Sequence, residues 1–368
     1  MKNPKVIISG GGTGGHIFPA LAIANEIKKR FSNVDILFVG ANGRMEMKKI
    51  PEAGFNIVGL DIVGLQRRIT YKNLFFPFKL FKSLRKAKSI VKSFNPNVVI
   101  GVGGYASGPT LKMASKLGYP TLIQEQNSYA GLTNKLLSKK AISICVAYEN
   151  MSKFFPAEKI RLTGNPVRND IINLNNKKEE ALIHFKIEGN KKVVLLLGGS
   201  LGAKTINDGL LNNIDRIHNE NLIILWQAGS RYIDDVINKL NKDKYPNIFP
   251  LAFIKRMDLA YAAADLIVSR AGALSISEIA IVGKPAILIP SPNVAEDHQT
   301  KNAMSLVNNN SAVMVKDEDT NSELIPMIIK LLDDTDYCNE LKVNLLKMSK
   351  PNASEHIVDE VVEIGKLA

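Results

Sequence analysis

The sequence predicts an α/β protein with two parallel-sheet domains, on three observations. A strand, a glycine loop and a helix follow one another at Lys5–Ser9, Gly10-Gly11-Gly12-Thr13-Gly14-Gly15-His16 and Ala20–Ile27, and the same grammar returns at Lys192–Leu197, Gly198-Gly199-Ser200-Leu201-Gly202-Ala203 and Lys204–Leu211. Short apolar segments at Asp35–Val39, Val98–Val102, Thr121–Ile123, Leu222–Trp226, Leu266–Val268 and Ala286–Ile289 alternate with helical ones, the pattern of parallel sheets wrapped by helices. At 368 residues the chain also exceeds what one hydrophobic core usually supports. The polar stretch Arg168–Lys192, which contains a helical pattern, is the expected linker region.

Composition excludes several classes. No apolar run approaches a membrane-spanning helix, and Met1-Lys2-Asn3-Pro4-Lys5-Val6-Ile7-Ile8 turns to glycine before a signal-peptide core forms. A cytoplasmic protein is expected. The two cysteines, Cys145 and Cys338, suggest neither a disulfide framework nor a cysteine metal site. The net charge is +13, and residues 1–164 hold 25 Lys and Arg against 8 Asp and Glu, a surplus of +17, while the remainder stands at −4. The first half should therefore meet an anionic partner: nucleic acid, a membrane leaflet or a phosphorylated substrate.

A glycine loop between a parallel strand and a helix lets backbone approach a ligand while the unsatisfied N–H groups of the helix start point at it, usually at phosphate. Gly10, Gly12 and Gly15 fit G-x-G-x-x-G, but Asp35 begins the second strand instead of ending it, so the ribose-binding acid of a dinucleotide site is missing. No Gly-Lys-Ser/Thr follows either loop, which removes the P-loop reading. A third cluster, Gly101-Val102-Gly103-Gly104-Tyr105-Ala106-Ser107-Gly108-Pro109, also follows a strand, and Gln124-Glu125-Gln126-Asn127 follows the next. In the second half, Ser269 to Glu278 and Ile289 to Ala303 repeat this arrangement. Glu278 is either an acceptor for sugar hydroxyls or a helix acid favoured by the dipole.

Residues 65–92 contain nine Lys and Arg and no Asp or Glu. A helix from about Pro77 turns Leu80, Leu84, Ala87 and Val91 to the core and leaves Phe75, Phe76, Phe78 and Phe81 not all accounted for; with Lys79, Lys82 and Arg85 beside them, this is the composition of an interfacial membrane contact, through Phe75, Phe78 and Phe81, or of a solvated basic face. No nucleic-acid-binding motif accompanies the charge, so no nucleic-acid partner is expected. Asp317-Glu318-Asp319 fits the D-x-D pattern of metal-dependent glycosyltransferases but lies in a charge run, so a solvated loop and no metal site are expected.

Gly11-Gly12-Thr13-Gly14-Gly15-His16, Gly103 to Pro109, Glu125-Gln126-Asn127, Gly164-Asn165-Pro166-Val167-Arg168, Gly198-Gly199-Ser200, Arg270-Ala271-Gly272-Ala273 and Asp297-His298-Gln299 together resemble, in order and spacing, the MurG family of glycosyltransferases of bacterial peptidoglycan synthesis. The resemblance implies the GT-B glycosyltransferase fold, two Rossmann-like domains with parallel sheets facing across a cleft. It implies an N-terminal acceptor and membrane-associating domain at 1–164, a UDP-sugar donor domain at 165–350, and a C-terminal helix at 351–368 packing back toward the first domain. The implied reaction is inverting, metal-independent transfer of N-acetylglucosamine from UDP to the C4 hydroxyl of the muramyl sugar of lipid I, giving lipid II, with no cofactor.

By the same resemblance, Arg168, Ser200, Ile254, Ala273, Leu274, Glu278 and Gln299 line the donor site, with Thr13, Gly14, Gly15 and Asn127 completing it across the cleft. Two positions depart from the family pattern, Gln124 for histidine and Leu201 for glutamine, which bears on the sugar contacts. Displacement with inversion needs a base for the acceptor hydroxyl, and His16 and Glu125 are the candidates; the helix start beside His16 disfavours the imidazolium, and Glu125 alternatively holds the acceptor or the loop. Anionic phospholipid of the inner leaflet and other cell-wall synthesis proteins are the further expected partners, at the cytoplasmic face of the membrane. A UDP-sugar epimerase of the same fold and a non-catalytic nucleotide-binding module are the alternatives.

Overall fold

The computed structural model describes residues 3–62, 76–241 and 243–367. It divides into two compact units, Met1–Val167 with Lys350–Ala368 (unit 1) and Arg168–Ser349 (unit 2). Unit 1 is built on one sheet of β1 (Lys5–Gly10), β2 (Asp35–Ala41), β3 (Asn56–Leu60), β4 (Val98–Gly103), β5 (Thr121–Glu125), β6 (Ser143–Val146) and β7 (Ile160–Leu162), ordered β3-β2-β1-β4-β5-β6-β7. Unit 2 holds β8 (Val193–Leu197), β9 (Ile223–Gln227), β10 (Ile248–Leu251), β11 (Leu266–Arg270), β12 (Ala286–Ile289) and β13 (Val313–Met314), ordered β10-β9-β8-β11-β12-β13. All of these pairings are parallel.

Each order is that of the doubly wound Rossmann sheet, which reverses direction between its first strand and its fourth and binds ligands beyond the strand carboxyl ends at that switch point. Parallel strands covered on both faces read as continuous apolar runs, and β1 shows why. Val6 and Ile8 meet the helix Gly14–Arg30 on one face, while Ile7 meets the opposite layer, formed by the helices Phe76–Phe94 and Ser107–Lys116. The helix Ala353–Gly365 completes the first layer: Ile357, Val358 and Val361 are buried in the same core as Val6 and Ile8. Arg30 donates to Asp359 at 2.5 Å, and Ser143 and Arg161 both donate to Glu360, at 2.7 and 3.1 Å.

The stretch expected as a linker is instead part of unit 2. Its helix Lys178–Phe185 packs on the helix Met257–Ala263, and Lys177 Nζ lies 3.0 Å from the buried carboxylate of Asp258. Strands β3, β6, β7, β10 and β13 were not among the sequence expectations. β3 is interrupted by Gly59, β7 is a three-residue exposed edge and β13 has two residues, so none carries the period that marks a strand.

Candidate functional site

In unit 1 the switch point lies between the ends of β1 and β4, and both ends are glycine loops. Thr13 caps the helix Gly14–Arg30 with an extended backbone, and its carbonyl accepts from the N–H groups of His16 and Ile17. His16, one turn further in, therefore rises from the helix start, and its Nδ1 lies 3.0 Å from the carbonyl oxygen of Gly11. A carbonyl only accepts, so Nδ1 carries the proton in this arrangement, and in the neutral ring Nε2 carries the lone pair.

The second loop is shaped around that ring. Gly103 has φ +97°, and a Cβ there would sit 2.7 Å from His16 Nε2; a Cβ on Gly104 would run into the carbonyl of Gly11. Ser107 Oγ bridges the two loops, 2.8 Å from the carbonyls of both Ser9 and Gly103.

Glu125, at the end of β5, is buried, and its carboxylate accepts four hydrogen bonds from the loop that follows and from the helix Leu132–Ser138 after it. These come from Asn127 N at 3.1 Å, Asn127 Nδ2 at 3.3 Å, Gly131 N at 3.0 Å and Asn134 Nδ2 at 2.8 Å. Asn127 is thus fixed at this loop by Glu125. Gln124 is also buried, donating to Asn165 Oδ1 at 3.0 Å and accepting from Gln126. It belongs to an internal amide network with Asn165 and Gln126. Thr13 and Gly15 are exposed and Gly14 is half-buried at the start of the helix Gly14–Arg30.

In unit 2 the switch point lies between β8 and β11. The loop Gly198–Ala203 places Ser200 on the surface, and Gly202 packs so closely against the Ala228 carbonyl that only glycine fits there. Ala273 and Leu274 open the helix Ala273–Val282, which starts behind the extended N-cap Gly272 directly after β11.

On that helix Glu278 is mostly buried. Its Oε1 accepts from Arg168 Nε at 3.1 Å and its Oε2 accepts from the Tyr261 hydroxyl at 2.9 Å. Burial raises the Glu278 carboxyl above the usual carboxylate range, against the opposing pull of the Arg168 guanidinium. Burial likewise raises the Tyr261 phenol. The pairing uses the Nε of the guanidinium.

Two further residues of unit 2 have a defined orientation. Ile254 is buried and its N–H donates to Gln227 Oε1 at 2.9 Å. Gln299 Oε1 accepts from Ser291 N at 2.9 Å, which makes the Nε2 side its donor face. Leu201 is exposed on the loop beside Ser200.

At the D-x-D segment Lys316 and Glu318 are exposed, as the charge run predicts, but Asp317 is not. Asp317 accepts from Arg270 Nη1 and from Thr205 Oγ1 at 2.6 Å, and both partners of the ion pair are mostly buried. Arg270 also reaches the carbonyls of Ile289 and Pro290, both at 3.3 Å, so one guanidinium ties together the ends of β11 and β12, the helix start at Thr205 and the 317 loop. Among the described residues no three His, Cys, Asp or Glu side chains gather as a metal site. No pattern in the sequence marks Glu46, Tyr261, Gln227, Asn134 or this Arg270–Asp317 tie, because the fold brings each its hydrogen-bond partner.

On the helix Phe76–Phe94, Ala87 and Val91 are buried and Leu80 and Leu84 pack on the same core, as the stripe predicts. Phe78 and Phe81 are 75% and 65% exposed, and Lys79, Lys82 and Arg85 are exposed beside them. Lys82 lies 3.6 Å from Asp61. Phe75 lies outside the described residues. Among those residues no helix is long and apolar enough to cross a membrane.

The sequence matches the glycosyltransferase family 28 N-terminal domain over residues 6–146 and the glycosyltransferase family 28 C-terminal domain over residues 193–357. It is 55% identical over 364 residues to the UDP-N-acetylglucosamine–N-acetylmuramyl-(pentapeptide) pyrophosphoryl-undecaprenol N-acetylglucosamine transferase of Flavobacterium psychrophilum, covering 99% of this chain and 98% of that one. Identity to the protein of the same name from Parabacteroides distasonis is 52%, over 99% of each chain. The crystal structure of Acinetobacter baumannii MurG matches with a TM-score of 0.78 at 31% identity, over 98% of this chain and 99% of that one. A UDP-GlcNAc 2-epimerase from Neisseria meningitidis, at 16% identity and a TM-score of 0.68 over 98% of this chain and 100% of that one, shares the fold alone. With both family domains matched in order and half or more of the residues identical to these full-length relatives, the chain belongs to glycosyltransferase family 28, among its MurG members.

Proposed function

We propose that this chain transfers N-acetylglucosamine from UDP-N-acetylglucosamine to the C4 hydroxyl of the muramyl sugar of undecaprenyl-diphosphate-linked lipid I, forming lipid II with inversion. The observation that carries the chemistry is the His16 imidazole fixed through Nδ1 to the Gly11 carbonyl, so that Nε2 is the basic nitrogen. As the acceptor oxygen bonds to the anomeric carbon, His16 Nε2 takes the hydroxyl proton, the bond from that carbon to the diphosphate breaks, and its electron pair leaves on UDP. Arg168, Ser200 and the helix start at Ala273 and Leu274 supply donors for the charge that develops on the diphosphate. Glu278 holds Arg168 and reads the ribose, Ile254 reads uracil through its carbonyl, and Gln299 donates to the transferred sugar. Glu125 serves as the staple that ties the loop after β5 to the helix Leu132–Ser138, since its carboxylate is already taken up by three donors of that loop and one of that helix.

Phe78 and Phe81 with Lys79, Lys82 and Arg85 support docking on anionic phospholipid at the cytoplasmic leaflet, where the acceptor's tail resides. The test is incubation of purified protein with labelled UDP-N-acetylglucosamine and a short-chain lipid I analogue. A disaccharide product bears the reading out; epimerised UDP-sugar, or bound nucleotide without turnover, would replace it with one of the two alternatives.

A further inference from the structure

The most telling buried charge outside the described site is Glu46, the first residue of the helix Glu46–Glu52, with its side chain in the interior of unit 1. An isolated buried carboxylate is costly, and this one is held by backbone donors: Oε1 accepts from Ala41 N at 3.0 Å and Oε2 accepts from Gly12 N at 2.8 Å. The Gly12 N–H and the Gly11 carbonyl are two ends of one planar peptide unit. The Gly11 carbonyl is the group that accepts from His16 Nδ1 at 3.0 Å. Carboxylate, peptide and imidazole therefore form one chain of hydrogen bonds.

We propose that Glu46 is a positioning residue for His16, acting through the Gly11–Gly12 peptide to hold the imidazole in its Nδ1–H tautomer and to keep Nε2 basic. A carboxylate drawing on the N–H end of a peptide increases the negative charge at its oxygen, and hydrogen bonds in such a series strengthen one another at low dielectric. A stronger acceptor at Nδ1–H fixes the tautomer, as the partner of a histidine commonly does. The arrangement also accounts for the loop glycines: a Cβ on Gly11 would run into the Glu46 carboxylate, one on Gly104 into the Gly11 carbonyl and one on Gly103 into the His16 ring.

The inference rests on the reading of His16 as the base, so its test is a double-mutant cycle on the full chain. Glu46→Gln removes the charge and gives one of the two backbone donors an amide NH2 to face. Turnover should fall about tenfold or more while KM for the UDP-sugar stays within about threefold, and in a His16→Ala background the same change should cost less than about twofold. Equal losses in both backgrounds would make Glu46 a loop support only and overturn the inference, with the base assignment standing. Full turnover by His16→Ala would remove the base itself. The side-chain nitrogen resonances of His16 give a second readout: they should report Nδ1–H at neutral pH in the unaltered protein and a shift toward the Nε2–H form in Glu46→Gln, and an Nε2–H form in the unaltered protein, or an unchanged tautomer ratio in the variant, would overturn the inference.

Discussion

Arg168 Nε and Glu278 Oε1 stand 3.1 Å apart, joining the first residue of unit 2 to the helix that follows β11. The opposite oxygen of the same carboxylate is taken by Tyr261, so Glu278 fixes a guanidinium while itself being fixed from behind. Glu278→Ala should therefore weaken UDP binding about tenfold or more, since a buried hydrogen bond to a charged group is worth about 1.5–3 kcal/mol. Tyr261→Phe removes only the hydroxyl and should cost less. Calorimetric titration with UDP measures both, and unchanged affinity in Glu278→Ala would take this pair out of the donor site.

Glu125 and His16 should separate in hydrogen exchange. Loss of the Glu125 staple in Glu125→Ala should speed amide exchange across residues 126–134, and Asn134→Ala should do so to a smaller degree. His16→Ala should leave that loop protected while lowering turnover about 100-fold. A protected loop in Glu125→Ala, with turnover abolished, would transfer the role of base to Glu125.

Chelation should leave transfer unchanged, because the Asp317 carboxylate that a D-x-D ion would use is engaged by Arg270 and Thr205. Asp317→Asn should destabilise the chain by about 3–5 kcal/mol, the cost of leaving one charge of a mostly buried pair without its partner. Activity lost to EDTA and restored by magnesium or manganese would put a metal at Asp317 instead.

Asp258 should give unit 2 a pH-dependent stability. Hydrogen bonds from Arg256 and then Lys177 hold its carboxyl well below the usual carboxylate range. A depressed folded value means that the contribution is present above the unfolded pKa of about 3.9 and is lost as pH falls toward the folded value. Asp258→Asn should thus lower the melting temperature at pH 7 by an amount worth about 2 kcal/mol, and by less at about pH 3. An equal difference at both pH values would show that the ion pairs contribute nothing.

Vesicle binding tests the exposed aromatics. The chain should co-sediment with anionic vesicles, less so as salt rises, and Phe78→Ser with Phe81→Ser should bind weakly while still using a water-soluble acceptor. Undiminished binding by that variant would place the membrane contact elsewhere.

The sequence by itself determined the two-sheet architecture and most of the site's addresses. Continuous apolar strands ending in glycine loops are a local signature, because a parallel strand must be apolar throughout and the loop at its carboxyl end must let backbone approach. Gly10 to His16, Gly198 to Ala203 and Arg270 to Ala273 are therefore readable where they stand. Only the tertiary structure decided what each charged side chain does there. Glu125 and Glu278 look alike in sequence, yet one carboxylate closes on its own loop and the other on residues 110 and 17 positions away. Asp317 reads as solvent-facing because its neighbours are charged, and folding turns it onto Arg270. Glu46 shows no pattern in sequence at all, because its meaning lies in two backbone N–H groups that β1 and β2 bring to it. Hydrogen-bond partners are set by which strand ends meet in the sheet, and that order is a property of the folded chain.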